Sequence, residues 1–248
     1  MDLKDNIAII TGAAQGIGEA TAEKMANLGA KVVVLDLNLR GAEEVVSRIC
    51  STGTEAIAIQ ADVTRFEELK NVAKLVTDRF GKIDILVNNA GWTETHPFIN
   101  EDEDYWDKVI AINLKGPILL SKAVLPFMIE KKYGKIVNIG SDAARVGNSG
   151  EVVYSAAKGG VVTFTKSLAR EVGRYKINVN CVCPGPTNTP LMKKQPEKVI
   201  EALTQMIPFR RIAEPLELAN VIAFLCSREA SFVSGQVISV SGGLTMVG

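Results

Sequence analysis

Along the chain, short runs rich in Val, Ile and Ala alternate with longer segments whose apolar residues recur at helical spacing. The strand-like runs are Asn6–Thr11, Lys31–Asp36, Glu55–Gln60, Ile83–Val87, Lys135–Ile139, Ile177–Val182 and Gln236–Val240. The helix-like segments cover 19–28, 39–51, 65–80, 102–114, 117–131, 150–172 and 215–226. Strand, helix and strand in succession return the chain in one direction. The alternation therefore predicts a parallel sheet with right-handed crossovers, covered by helices on both faces. We read no linker, low-complexity tract or repeat, so the expectation is one α/β domain over residues 1–248.

The first strand–helix–strand unit carries a glycine-rich turn, Gly12-Ala13-Ala14-Gln15-Gly16-Ile17-Gly18. Glycines allow a tight turn and close backbone approach, and the helix N-terminus offers unpaired N–H groups to a diphosphate. The second strand ends in Asp36, where a carboxylate accepts hydrogen bonds from adenosine ribose hydroxyls and repels a 2′-phosphate. No Arg or Lys stands in Ala13–Gln15 or at Leu37 to neutralise such a phosphate, so NAD is expected rather than NADP. The other singled-out polar residues also fall just after strands: Asp62, Asn88–Gly91, Ser141 and the stretch 184–189. Ligands of open α/β sheets bind outside those strand ends.

Tyr154 and Lys158 lie four apart in a helical segment, on one face and a turn apart. An ammonium beside a phenol stabilises the phenolate, lowering its pKa from about 10. The pair is expected to accept a proton from an alcohol, with the Ser141 hydroxyl holding the substrate oxygen.

Lys+Arg and Asp+Glu both number 28, a balance that suggests no nucleic-acid or membrane partner. No basic-then-apolar leader opens the sequence and no apolar run reaches the ~20 residues of a membrane span, so a cytoplasmic protein is expected. Cys50, Cys181, Cys183 and Cys226 have no metal-ligand spacing and His96 is the only histidine. Buried thiols are expected, with no metal site and no histidine-based hydrolysis.

Over essentially its full length the sequence resembles the short-chain dehydrogenase/reductase family. The matching motifs are Thr11–Gly18, Asp62-Val63, Asn88-Asn89-Ala90-Gly91, Asn113, Ser141, Tyr154-x3-Lys158 and Pro184-Gly185. The resemblance implies a Rossmann-type, doubly wound, seven-stranded sheet, a homotetramer, and hydride transfer between NAD(P) and an alcohol or ketone. It implies that Tyr154 is the general acid/base, that Lys158 lowers its pKa and bonds the nicotinamide ribose, and that Ser141 orients the substrate. Asn113 would hold a water linking Lys158 to solvent. Gly12, Gln15, Gly16, Ile17, Gly18, Asp36 and Leu37 would line the cofactor, with Asp62 and Val63 beside the adenine. Asn88, Asn89, Ala90 and Gly91 would line its central strand side. Pro184, Gly185, Thr187 and Thr189 would lie near its carboxamide.

Substrate choice is expected to rest on loops, chiefly the segment 186–213. Candidate pocket residues are Trp92, Asp142, Ala143, Val146, Glu151, Val152, Pro186, Leu191, Met192 and Met206, several of them apolar. Local stretches such as 141–151, 182–187 and 239–246 are similar to the 2-hydroxycyclohexanecarboxyl-CoA dehydrogenases and related cyclic or aromatic secondary-alcohol dehydrogenases. That similarity implies a cyclic or aromatic secondary alcohol; for a CoA thioester, Arg145, Lys193, Lys194 and Arg210 are candidate mouth residues. A 3-oxoacyl carrier-protein reductase is the other enzymatic expectation, set back because Asp36 selects against NADPH. A non-enzymatic NAD sensor on the same fold is the expectation from a different class.

Overall fold

A computed structural model describes residues 1–247. Its strands are β1 (Ile7–Thr11), β2 (Lys31–Asp36), β3 (Ala56–Gln60), β4 (Ile85–Asn88), β5 (Gly134–Ile139), β6 (Ile177–Pro184) and β7 (Val237–Val240). They form one sheet in the order β3-β2-β1-β4-β5-β6-β7, with every neighbouring pair parallel. The helices are α1 (Gly16–Asn27), α2 (Leu39–Ser51), α3 (Phe66–Phe80), α4 (Glu103–Ile110), α5 (Gly116–Lys131), α6 (Ala143–Val146), α7 (Val152–Val172), α8 (Glu197–Met206) and α9 (Pro215–Cys226).

Both faces of the central strands are buried, which is why they read as continuous apolar runs. Alternate residues feed two cores. Ala8, Ile10, Val32 and Val34 pack with α1, α2 and α9 through Met25, Val45, Ile49, Leu218 and Ile222. Ile7, Ile9, Val33 and Leu35 pack with α3, α5 and α7 through Leu69, Val76, Leu120, Val124 and Leu168. The strand order reverses between β1 and β4, and that reversal opens a crevice at their carboxyl ends.

Three features depart from the sequence expectation. The segments expected as separate helices over 102–114 and 117–131 form one helical run. A π turn at Ala111–Lys115 joins α4 to α5, with Pro117 tolerated in the first turn of α5. Within the expected loop 186–213 lies α8, which buries none of its residues. β6 continues to Pro184, its last residue, instead of ending before it. The run Glu103–Lys131 contains an 18-residue window of mean hydropathy 1.4, but Leu120, Val124 and Met128 from it are core residues of this fold.

Candidate active site

The ends of β1 and β4 are laced together by side chains. Thr11 Oγ1 accepts the backbone N–H groups of Asn89 and Ala90, each at 2.9 Å. Asn89 Nδ2 donates to the Thr11 and Gly12 carbonyls at 2.9 and 3.0 Å. Gly12 turns with φ +61°, and a Cβ there would lie 2.8 Å from Ala90 Cα. No side chain caps α1, so its first N–H groups are left for the oxygens of a ligand.

At the end of β2, both carboxylate oxygens of Asp36 are fixed. Oδ2 accepts from Ala14 N and Oδ1 from Asn38 N, both at 2.9 Å. This ties a negative charge to the glycine-rich loop, while Leu37 beside it stays exposed. Gln15 is exposed and Ile17 half-buried at the start of α1. Thr189 reaches the same loop: its Cγ2 lies 3.4 Å from where a Cβ on Gly16 would stand. The uncapped helix end, the Cβ-free turn and the fixed acid together fit a dinucleotide.

Other expected cofactor residues are placed less directly. Asp62 Oδ1 accepts from Thr64 N and Oγ1 at 2.8 and 2.7 Å, and Val63 packs against Gly116. Thr187 is buried and donates to the Gly185 carbonyl at 2.9 Å. Asn88 does not line the crevice. Its side chain is buried and Nδ2 donates to Ser121 Oγ and Asn138 Oδ1 at 3.1 and 2.8 Å, bracing the sheet instead.

Across the crevice, Ser141 follows β5 and Tyr154 and Lys158 rise on α7. Ser141 Oγ accepts Ala143 N at 3.1 Å. Lys158 is buried, its Nζ donates to the Ile139 carbonyl at 2.8 Å, and it sits 5.8 Å from the Tyr154 ring centroid. Burial lowers the ammonium to about 8, an effect that Cys181 and Cys183 oppose. The expected lowering of the phenol is not what this site shows. Burial raises Tyr154 above its ordinary value and the Glu151 carboxylate adds to the rise, while a hydrogen bond with Ser141 draws it back. The first physical reason is that a phenolate at this half-buried position loses hydration; beside it, Lys158 is directed to the Ile139 carbonyl.

Asn113 is fully buried in the π turn. Its Nδ2 donates to the carbonyls of Trp92 and Val109 at 2.7 and 2.9 Å, and its Oδ1 accepts Trp92 N at 3.2 Å. Both amide hydrogens are committed, so a relay water would have to use its oxygen or backbone.

The expected pocket residues divide. Glu151 and Ala143 are half-buried near Tyr154 and Ser141, whereas Val146, Val152, Leu191 and Met206 are exposed. Met192 opens a short 3-10 turn in the loop, and Pro186 accepts Ala213 N at 2.9 Å. Trp92 packs its ring on Tyr105 and beneath Lys108 Nζ, which stands 3.7 Å from the ring centroid. Asp142 and Arg145 are drawn elsewhere. Asp142 Oδ1 accepts from Ser239 Oγ at 2.6 Å, and Arg145 donates to Ser239 Oγ and the Val247 carbonyl at 2.9 and 2.6 Å. Arg145 thus holds the C-terminal tail and is not free to meet a CoA phosphate. Lys193 and Lys194 remain exposed, and Arg210 donates to the Gln205 carbonyl.

Cys181, Cys183 and Cys226 are buried as expected, but Cys50 is exposed at the end of α2. Among the described residues no three His, Cys, Asp or Glu side chains gather as a ligand set. One contributor escaped the sequence reading, and Thr11, read only as the first residue of the glycine-rich motif, gained a bracing role. The Ile139 carbonyl is a backbone group without a residue signal, while a lone hydroxyl ending a buried strand marks Thr11.

Residues 12–245 match the family described as Enoyl-(Acyl carrier protein) reductase. The chain is 39% identical, over all of both proteins, to the 3-oxoacyl-[acyl-carrier-protein] reductase FabG of Vibrio cholerae. It is also 39% identical to the (2S)-[(R)-hydroxy(phenyl)methyl]succinyl-CoA dehydrogenase subunit BbsD of Thauera aromatica, over 99% of each chain. The crystal structure of levodione reductase superposes with a TM-score of 0.94 at 34% identity, covering 97% of each chain.

Proposed function

The chain belongs to the short-chain dehydrogenase/reductase family, and from that premise we propose an NAD-dependent enzyme that interconverts a β-oxo and a β-hydroxy acyl thioester. The observation that carries the reaction class is the meeting of Ser141, Tyr154 and Lys158 at the same sheet edge as the cofactor cradle. The thioester comes from the relatives. A 3-oxoacyl group on a carrier protein and a hydroxy(phenyl)methylsuccinyl-CoA both carry oxygen on the carbon β to a thioester. This supports the carrier-protein-type reading, expected second, over simple cyclic or aromatic alcohols. A 2-hydroxycyclohexanecarboxyl-CoA has the same β-hydroxy thioester arrangement and stays within the proposal.

When bound, NAD supplies the hydride acceptor or donor at the reacting carbon. The residues of this chain do the rest. Gly12–Gly18 and the α1 N-terminus would hold its diphosphate, and Asp36, tied to the glycine-rich loop, would accept the adenosine ribose hydroxyls. Ser141 donates a hydrogen bond to the substrate oxygen, and the Tyr154 phenolate takes the proton of the alcohol, or the phenol returns it to the ketone. Lys158 keeps a positive charge behind the ring, anchored by the Ile139 carbonyl. The proposal extends to a cytoplasmic homotetramer on the strength of the family alone.

Two measurements follow. Asp36→Ala removes a charge-assisted contact worth about 1.5–3 kcal/mol, so kcat/KM with NAD is expected to fall roughly 10- to 100-fold relative to NADP. An unchanged ratio of the two cofactors removes Asp36 from the ribose role. For the substrate, acetoacetyl-CoA and 2-hydroxycyclohexanecarboxyl-CoA are compared with cyclohexanol and 1-phenylethanol at the NADH absorbance band. The thioesters are expected to lead in kcat/KM by about tenfold or more, since remote binding energy is used at the reacting centre. A lead for the free alcohols overturns the thioester assignment, and no turnover with any of them favours the NAD-sensing reading.

A further inference from the structure

Helix α8 buries none of its residues, so its place depends largely on the chain at either end of it. In front, Gln195 Nε2 donates to Thr95 Oγ1 at 3.2 Å. Behind, the bend at 207–209 meets the C-terminal tail (241–247). Phe209 N donates to the Gly242 carbonyl at 3.4 Å. A Cβ on Gly242 would stand 3.0 Å from Ile207 Cγ2, and one on Gly243 3.0 Å from Pro208 Cγ. Both glycines have positive φ, +61° and +87°, so the tail lies flat on the bend where a side chain would lift it.

The tail is fixed in turn by the short helix that follows Ser141. Half-buried Arg145 on α6 divides its guanidinium between two partners. Nη1 donates to Ser239 Oγ at 2.9 Å and to the Val237 carbonyl at 3.4 Å, while Nη2 donates to the Val247 carbonyl at 2.6 Å. Ser239 Oγ passes its own hydrogen to Asp142 Oδ1 at 2.6 Å, and Asp142 is buried with no partner on Oδ2 among the described residues. A hydroxyl has one hydrogen to give, so the bonds run in one direction, from Arg145 to Ser239 to Asp142. Within the tail, Thr245 N donates to Ser241 Oγ at 3.2 Å, and both residues are buried. Arg145 and Ser141 share one turn: Ser141 Oγ accepts Ala143 N, and the Asp142 carbonyl accepts Arg145 N.

We propose that Arg145 is a positioning residue for the substrate: through the C-terminal tail it fixes the rear of the segment 186–213 against the turn that carries Ser141, and so sets the affinity for an acyl thioester. The inference rests on the reading of 186–213 as the substrate segment and of a thioester as its ligand. The guanidinium is required for its shape and not only for its charge. Its planar fork reaches Ser239 and Val247 at once, whereas the ammonium of a lysine is a single point.

Arg145→Lys and Arg145→Met are therefore expected to behave alike. Each should raise KM for acetoacetyl-CoA by about tenfold, as the loss of a charge-assisted hydrogen bond would. KM for 1-phenylethanol, which has no arm to lay along the segment, should stay at the parental value. A second readout needs no turnover. Lys194 and Lys198 are exposed, and trypsin cutting after them, located by mass spectrometry, should quicken by about tenfold, because cleavage follows the population of the opened segment. NADH affinity should stay within about threefold of the parent, since the effect is confined to the segment and the tail. A parental rate of cutting in both variants overturns the proposal, as does quickened cutting with an unchanged thioester KM. Parental behaviour restored by Arg145→Lys overturns it too, because charge alone would then suffice. A fall in NADH affinity as large as the rise in KM assigns the effect to general loss of structure and has the same consequence. A parent that does not turn over the thioester, with cutting still quickened in the variants, would instead sink the thioester reading while supporting the clamp.

Discussion

Tyr154→Phe is expected to lower kcat by about 10³- to 10⁴-fold, at the upper end of what general acid–base catalysis contributes. The size follows from the surroundings. Among the described groups, Ser141 is a hydroxyl of ordinarily much higher pKa, Lys158 is directed to the Ile139 carbonyl, and Asn113 has both amide hydrogens committed. None can take the alcohol proton in place of the phenol. The substitution removes one oxygen and no packing, so NADH affinity, measured by fluorescence titration, should change less than about threefold. The pH dependence has a definite sign. Because burial and Glu151 raise the phenol, alcohol oxidation, which needs the phenolate, should keep rising with pH beyond neutrality. Ketone reduction, which needs the neutral phenol, should stay level through neutrality and fall only as the pH approaches the raised value of the phenol. A variant that retains kcat within tenfold of the parent removes Tyr154 from the chemistry.

Gly18→Ala should be the more damaging change to the fold. Gly18 is helical, so no unusual φ is at issue; the difficulty is space. A Cβ there would stand 2.2 Å from the Gly12 carbonyl oxygen and 2.5 Å from Asn89 Nδ2. Both belong to the lacing of β1 to β4, and the nearer atom is backbone that cannot rotate away. Overpacking of this kind costs about 3 kcal/mol, which lowers the Tm by roughly 6–12 °C in a chain of this size. Widening the turn also withdraws the α1 N-terminus from the diphosphate, so NAD affinity should drop by about 100-fold or more. Calorimetry and a cofactor titration check the two effects separately. A variant with parental Tm and parental affinity would show that this close approach does not constrain the turn.

Much of the architecture was legible because its physics is local. Strands covered on both faces become apolar runs, and a turn that admits a phosphate becomes glycines, so β1, α1 and β2 can be read from thirty consecutive residues. The sheet edge that gathers Ser141, Tyr154 and Asp36 follows from where those residues fall after strands. The pocket was less legible because its membership is decided by partners far away in the chain. Asp142 and Arg145 sit next to Ser141 in sequence, yet Ser239, nearly a hundred residues on, turns both toward the tail. Asn88 differs from Asn89 only by alternation on a strand end, but one braces the sheet and the other the loop. Helix α8 carries Val199, Ile200, Leu203 and Met206 at helical spacing, but it fully buries none of its residues, and a reading of 186–213 as a substrate loop passed over that periodicity. The protonation of Tyr154 was misjudged for a related reason. Spacing puts Lys158 one turn away, but only the Ile139 carbonyl reveals where its ammonium points.

The π turn at Ala111–Lys115 makes the length of the chain, and not only its lettering, a condition of this site. Each residue of an α-helix advances it by about 100°. Deleting one residue before Asn113 would let the turn relax to ordinary helix and swing Asn113 about a quarter-circle away from Trp92. Every residue of the chain but one would be kept, and the strut between the β4 end and the helix would still be lost. Changes in spacing here carry consequences that a comparison of substitutions alone would not register.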